Sequence, residues 1–153
     1  MEKNYLRPLA TDVPVGAALG TEKMDMGLFP GGIYGLKFPP HVAKPTPAMT
    51  ATVYELALNG KFIEIYGSLG KDRLRWTRSQ VARYLRDNTD HIESGECSTF
   101  FELEEGLVAR VIFVGAGGFM LMLNVLNLFN EAIWYEDNHH RFIILQPQPK
   151  PRA

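Results

Sequence analysis

Two runs rich in apolar residues, Thr50–Leu58 and Lys61–Tyr66, are separated by one dipeptide, Asn59-Gly60. That pair supplies the two positive φ values of a type I′ turn, so Thr50–Leu58 and Lys61–Tyr66 are expected to form a tight β-hairpin. A two-residue turn sets the register, because successive side chains point to opposite faces of a strand. Leu58 would then oppose Lys61, Leu56 would oppose Ile63, and Tyr54 would oppose Ile65, which makes one face apolar. On the other face Ala57 would meet Phe62, Glu55 would meet Glu64, and Val53 would meet Tyr66.

The period then changes to a helical one. Thr77-Arg-Ser-Gln80 has the form of a capping box, with Thr77 as N-cap and Gln80 reaching back to it. Trp76 and Val81 are placed as a hydrophobic staple, and Val81, Leu85 and Ile92, helped by Tyr84, give one apolar stripe. The pattern predicts a helix from Arg78 to about Asp87, with an extension to Ile92 left open.

Strand patterns dominate the second half of the chain. Ser98–Glu104 and Leu107–Val114 flank a Glu105-Gly106 turn, and Ala132–Glu136 and Arg141–Leu145 flank Asp137–His140. The Leu and Met content of Phe119–Asn130 favours helix, with Asn124, Asn127 and Glu131 at helical spacing on one side; a strand is the alternative. Val111 to Phe129 carries no charge over nineteen residues, close to a bilayer-spanning length. Gly115, Gly117, Gly118, Asn124 and Asn127, with alternation in its first half, favour a buried hairpin or a strand followed by a helix.

Residues 1–48 hold seven of the ten prolines and six of the fourteen glycines. Regular structure there should be sparse, yet Leu28, Phe29, Ile33, Tyr34, Leu36 and Phe38 are too apolar for a free tail. The expectation is an irregular Pro/Gly-rich arm over residues 1–48, with Phe38-Pro39-Pro40 extended. A core domain over residues 49–146 and a mobile Pro-rich tail over residues 147–153 complete the chain. The resulting fold class is α+β: a single curved, mostly antiparallel sheet packed by one or two helices.

Composition adds bounds. With 153 residues, 46% hydrophobic and 22% charged, the chain lies far from disorder or coiled coil. A net charge of −1 provides no global field that would call for nucleic acid or an anionic membrane. Cys97 is the only cysteine, which excludes an internal disulfide and fits a reducing compartment. No apolar run backs the charges at the N-terminus, so a soluble, cytoplasmic protein is expected. The four histidines show no zinc spacing, and no metal or cofactor is implied.

Two regions carry candidate chemistry. The first is the Glu55/Glu64 pair, two acids with Cβ atoms about 5 Å apart if the hairpin forms. Enclosure would raise one pKa and create the acid and base of a hydrolase. Phe62 and Tyr66 would stack a ligand ring, and Arg110, alone in an apolar strand, would pair with Glu64 or Glu102 or orient an anion. Gly27–Gly35 would form the roof.

The second region is a charge split. Residues 71–86 carry +5 (Lys71, Arg73, Arg75, Arg78, Arg83 and Arg86 against Asp72), whereas residues 87–105 carry seven acids and no base. Arg83–Asp87 and Arg86–Asp90 read as i,i+4 pairs. Arg73, Arg75, Trp76, Arg78, Arg83, Tyr84 and Arg86 together have the composition of an interface hot spot. The leading function is therefore a non-enzymatic interaction protein, pairing electrostatically with a protein partner or a second copy. Nucleic-acid binding over Arg73–Arg86 is a further alternative. Thr77-x-x-Gln-Val-Ala-x-Tyr-Leu85 resembles the first helix of a helix-turn-helix, but Arg86 stands where the turn usually takes glycine.

Three smaller features carry weaker signals. Val111-Ile-Phe-Val-Gly-Ala-Gly-Gly-Phe119 looks like the opening of a dinucleotide-binding strand–turn–helix, with Met120 at its third glycine position. His139-His140 lies at a hairpin tip, where consecutive side chains point apart. Cys97 lies among acids that would raise its pKa and make it a poor nucleophile.

Overall fold

A computed structural model of the chain describes residues 4–21, 33–35, 44–88, 98–114 and 120–147. Within them lie strands β1 (Leu6–Val15), β2 (Ile33–Gly35) and β3 (Met49–Leu56), then helices α1 (Phe62–Gly67) and α2 (Arg78–Asp87). Strands β4 (Thr99–Glu102), β5 (Leu107–Val114), β6 (Met120–Asn127) and β7 (Arg141–Leu145) complete the set. They form one seven-stranded sheet in the order β1-β3-β7-β4-β5-β6-β2. The sheet is mixed: β1–β3, β3–β7, β4–β5 and β5–β6 pair antiparallel, β4–β7 and β2–β6 parallel.

Strand alternation sorts the core into two layers. Phe101, Ala109, Val111, Ile143 and Ala51 pack with Val81, Tyr84 and Leu85 of α2 on one face. Phe100, Val108, Phe142 and Leu56 pack with Phe62, Ile65 and Tyr66 of α1 on the other. A sheet covered on both faces by few helices is a coarse α+β arrangement.

Helix α2 forms where its local signals put it. Gln80 N donates to Thr77 Oγ1 at 3.1 Å, and Thr77 N donates to Gln80 Oε1 at 3.0 Å. Trp76 and Val81 are both buried in the same cluster. Ile92 lies outside the described residues.

The hairpin at Asn59-Gly60 does not form. β3 ends at Leu56, and Phe62–Gly67 is a helix. Phe62, Ile65 and Tyr66 recur at i, i+3 and i+4, so in a helix all three reach the core, whereas a strand would split them between faces. Glu64 Oε1 accepts the Lys61 N–H at 3.0 Å and closes the first turn. Gly60 has no positive φ; its backbone exchanges hydrogen bonds with Trp134 instead (N to O 3.1 Å, and 2.8 Å in return). The strand β3 pairs with β1 and β7, so the expected register with residues 61–66 is replaced by Leu6↔Leu56 and Arg7↔Glu55 on one side and Glu55↔Arg141 on the other.

Two further expectations are corrected. Phe119–Asn130 is not a helix over its described part: β6 zips against β5 from Leu107↔Asn127 to Val114↔Met120, and ladder pairing overrides the weak helical preference of Leu and Met. This removes the helix that a dinucleotide-binding turn would need, while Gly115, Gly117 and Gly118 lie outside the described residues. Ala132–Glu136 is likewise not a strand, making only the single bridge at Trp134. Ser98–Glu104 and Leu107–Val114 do pair as β4 and β5 around the turn at Glu105 and Gly106, both with positive φ.

The N-terminal region is more regular than its prolines suggest. Leu6–Val15 is a ten-residue strand at one edge of the sheet. Pro8 and Pro14 are tolerated there because an edge strand leaves half of its N–H groups unpaired. The register shifts at Pro8/Ala10 and at Ala10/Val13, and Asp12 adopts φ 56, so the edge is bent and interrupted. Phe38-Pro39-Pro40 and most of Gly27–Gly35 lie outside the described residues. Among the described residues no helix is long and apolar enough to cross a membrane.

Candidate functional site

Without the hairpin, Glu55 and Glu64 have separate surroundings. Glu55 lies between Arg7 and Arg141 in the register, accepts from Arg7 Nη2 at 3.0 Å, and meets His139 Nδ1 at 2.6 Å. The Arg7 hydrogen bond, followed by that of His139, holds its carboxyl below the usual range. Glu64 closes the first turn of α1 and lies 3.4 Å from the Tyr5 hydroxyl. No shared proton links the two carboxylates, so the expected acid–base dyad has no geometric basis.

Phe62 and Tyr66 are fully buried and unavailable to stack a ligand. Phe62 lies 5.0 Å from Phe100 and 5.1 Å from Trp134 between ring centroids, and Tyr66 lies 5.6 Å from Phe142. Burial raises the Tyr66 phenol well above its ordinary pKa. Arg110 pairs with neither Glu64 nor Glu102: its Nε donates to Ser98 Oγ at 2.7 Å, and its guanidinium lies 5.5 Å from the Trp134 ring centre. His140, adjacent in space, is buried and accepts the Ser98 N–H through Nδ1 at 3.0 Å. His139 takes a left-handed conformation and turns outward to Glu55, so the two histidines do point apart.

The basic stretch is divided by burial. Trp76 and Tyr84 are core residues, edge-to-face at 5.4 Å, and Trp76 Nε1 donates to Ile143 O at 2.9 Å. They present no aromatic surface for bases or for a partner. Arg73 forks onto Glu102, and Arg75 approaches the same carboxylate at 3.7 Å. Arg83 bonds Asp87 at 2.7 Å in the expected i,i+4 pair, and Arg86 is exposed. Asp90 and Cys97 lie outside the described residues.

Arg78 differs from its neighbours. It is the first residue of α2 and only 8% exposed, yet no carboxylate reaches it among the described residues, and its Nε is buried without an acceptor. The adjacent Ser79 Oγ is also buried without a partner. The first-turn amides of Arg78 and Ser79 have no intrahelical acceptor by geometry, whereas Gln80 N is taken by Thr77. A cleft of about 150 Å³ opens at this point, lined by Lys44, Trp76, Thr77, Arg78, Leu103, Glu104 and Glu105.

Each wall of the cleft has a local cause. Trp76 and Leu103 form a parallel bridge that ties the chain before α2 to the end of β4. The β4–β5 turn brings Glu104 and Glu105 to the lip, Glu105 in a left-handed conformation. Lys44 is held by the Ala18↔Thr46 bridge and by Gly20, whose φ of +96 lets its backbone approach Lys44 where a Cβ would stand 2.7 Å from Lys44 N. Lys44 Nζ donates to Glu104 Oε1 at 2.9 Å. The basic and acidic blocks of the sequence thus meet in space at this cleft.

Pattern alone does not single out Lys44, because it sits in a Pro-rich stretch with no periodicity. Glu102 carries a usable signal, a charge within an apolar strand that needs a buried cation. Compared with protein-family models, with curated proteins and with solved structures, the chain matches none of them.

Proposed function

We propose that this chain is a non-enzymatic binding protein that engages an acidic group of a protein partner, or of a second copy of itself, where the start of α2 meets the β4–β5 turn. The observation that carries the proposal is Arg78: a residue 8% exposed that lines a cleft, its Nε buried without an acceptor and no carboxylate partner among the described residues. A buried cation is costly unless it is paired, and an incoming anion would supply the pair. Glu104 and Glu105 beside it give the surface both signs, which suits orientation of a partner more than a long polyanion. Nucleic acid is correspondingly disfavoured, since Trp76 and Tyr84 are core residues and two arginines are engaged by Glu102.

The test compares the wild-type chain with Arg78→Met and with Arg86→Ala in affinity capture and in sedimentation. A specific partner or a self-associated state that is lost with Arg78→Met and kept with Arg86→Ala is the expected result. Identical capture and identical oligomeric state in all three proteins would reject the reading.

A further inference from the structure

We infer that the cleft at the start of α2 is a carboxylate site, which takes one monoanionic carboxylate at a time, from an acidic side chain or from a small free acid. This rests on the binding reading above and specifies its chemistry. Arg78 supplies the donors at the cleft: its guanidinium, whose Nε has no acceptor, and its first-turn amide, which has no intrahelical acceptor. Donors at a helix start favour an anion through their local dipoles, and a guanidinium matches the two oxygens of a carboxylate. Arg78 is the decisive element, because a helix start alone would be satisfied by water.

Size and charge narrow the class. A volume of about 150 Å³ holds one carboxyl group with a few waters, taking about 30 Å³ for each water. Glu104 and Glu105 line the same cleft, and Glu104 already holds Lys44. The lining carries two bases, Lys44 and Arg78, against these two acids, so a second ligand charge gains no net attraction while its desolvation cost rises with the square of the charge, which sets a monoanionic carboxylate ahead of a phosphate dianion.

Amide NMR titrations of the full chain at constant ionic strength provide the test, with acetate, a capped Gly-Asp-Gly peptide, its Gly-Asn-Gly counterpart and inorganic phosphate as probes. Saturable shifts at Arg78 and Ser79 are expected with acetate and the Asp peptide, with affinity for the Asn peptide at least tenfold weaker. Arg78→Met, which keeps the apolar stem, should weaken acetate about tenfold or more, and Glu105→Gln should tighten it about twofold. An Asp peptide bound more tightly than acetate identifies a side chain as the source; equal affinity identifies free acids. No saturable shift, equal binding by Arg78→Met, or phosphate bound more tightly than acetate overturns the inference. Should Arg78→Met fail to fold, unchanged acetate affinity in Glu105→Gln overturns it alone. Carboxylate binding without any Arg78-dependent partner rejects only the partner reading; an Arg78-dependent partner without a carboxylate response rejects only this inference.

Discussion

Arg73 and Glu102 form a two-pronged ion pair inside the fold: Nε meets Oε1 and Nη2 meets Oε2, both at 2.8 Å, with the Glu102 side chain 2% exposed. The pair joins the segment before α2 to strand β4, and Trp76 N donates to Glu102 O at 2.8 Å in the same place. Removing one partner strands the other charge in a water-poor site. Glu102→Gln is therefore expected to lower unfolding free energy by about 3–5 kcal/mol. Arg73→Leu should cost less than this, because Arg75 remains 3.7 Å from Glu102. Urea denaturation of both single variants and the double variant measures the coupling; additive losses would show that the two side chains do not depend on each other.

His140 makes stability depend on pH. Its Nδ1 accepts the Ser98 N–H, so the proton of the neutral ring is on Nε2. Burial first, then the Arg110 charge, lowers its pKa from 6.5 to about 4. Because the folded value lies below the unfolded one, the unfolded chain takes up the proton first as pH falls. Stability is complete above about pH 6.5, declines towards pH 4, and loses on the order of 2–3 kcal/mol over that window. Glu55, with its lowered pKa, acts in a different range, since its contribution declines only as pH falls below 4.5. Denaturant midpoints at pH 7, 5.5 and 4.5 should slope less in His140→Leu than in the wild type, whatever its absolute stability. An unchanged slope would show that His140 does not set the pH dependence.

How far the fold could be read beforehand depended on where each decision was made. For α2, the cap at Thr77, the staple at Trp76 and the Val81–Leu85 stripe are all local and agree, so the helix was legible to its ends. At Asn59-Gly60 a strong turn signal concealed a helical triplet, Phe62, Ile65 and Tyr66; the choice is made by Gly60 pairing with Trp134, far along the chain. Likewise β6 is a strand because β5 offers it a complete ladder, which its own Leu and Met residues do not announce. Site residues followed the same rule. The charge of Arg78 was visible, but its isolation depends on Arg73 and Arg75 being drawn to Glu102.

Gly60 is required for space and not for its φ. A Cβ there would lie 2.8 Å from Tyr5 Cε1, and Tyr5 is buried against α1. Gly60→Ala should therefore cost about 1–3 kcal/mol through overpacking. The cost should largely vanish when Tyr5 is also changed to alanine, a background in which the obstructing ring is gone. Were the residue serving a type I′ turn, the penalty would persist in that background, so the double-mutant comparison separates the two explanations.

Thr77 offers a measure of how much the start of α2 depends on its cap. Its hydroxyl accepts the Gln80 amide at 3.1 Å, and both residues are buried. Thr77→Ala is expected to destabilise by about 1–2 kcal/mol, the upper part of the range for cap removal. Thr77→Ser retains the oxygen and should recover most of that loss. Thermal or urea unfolding ranks the three proteins, and a serine variant no more stable than the alanine variant would show that Thr77 acts through its methyl packing and not through its hydroxyl.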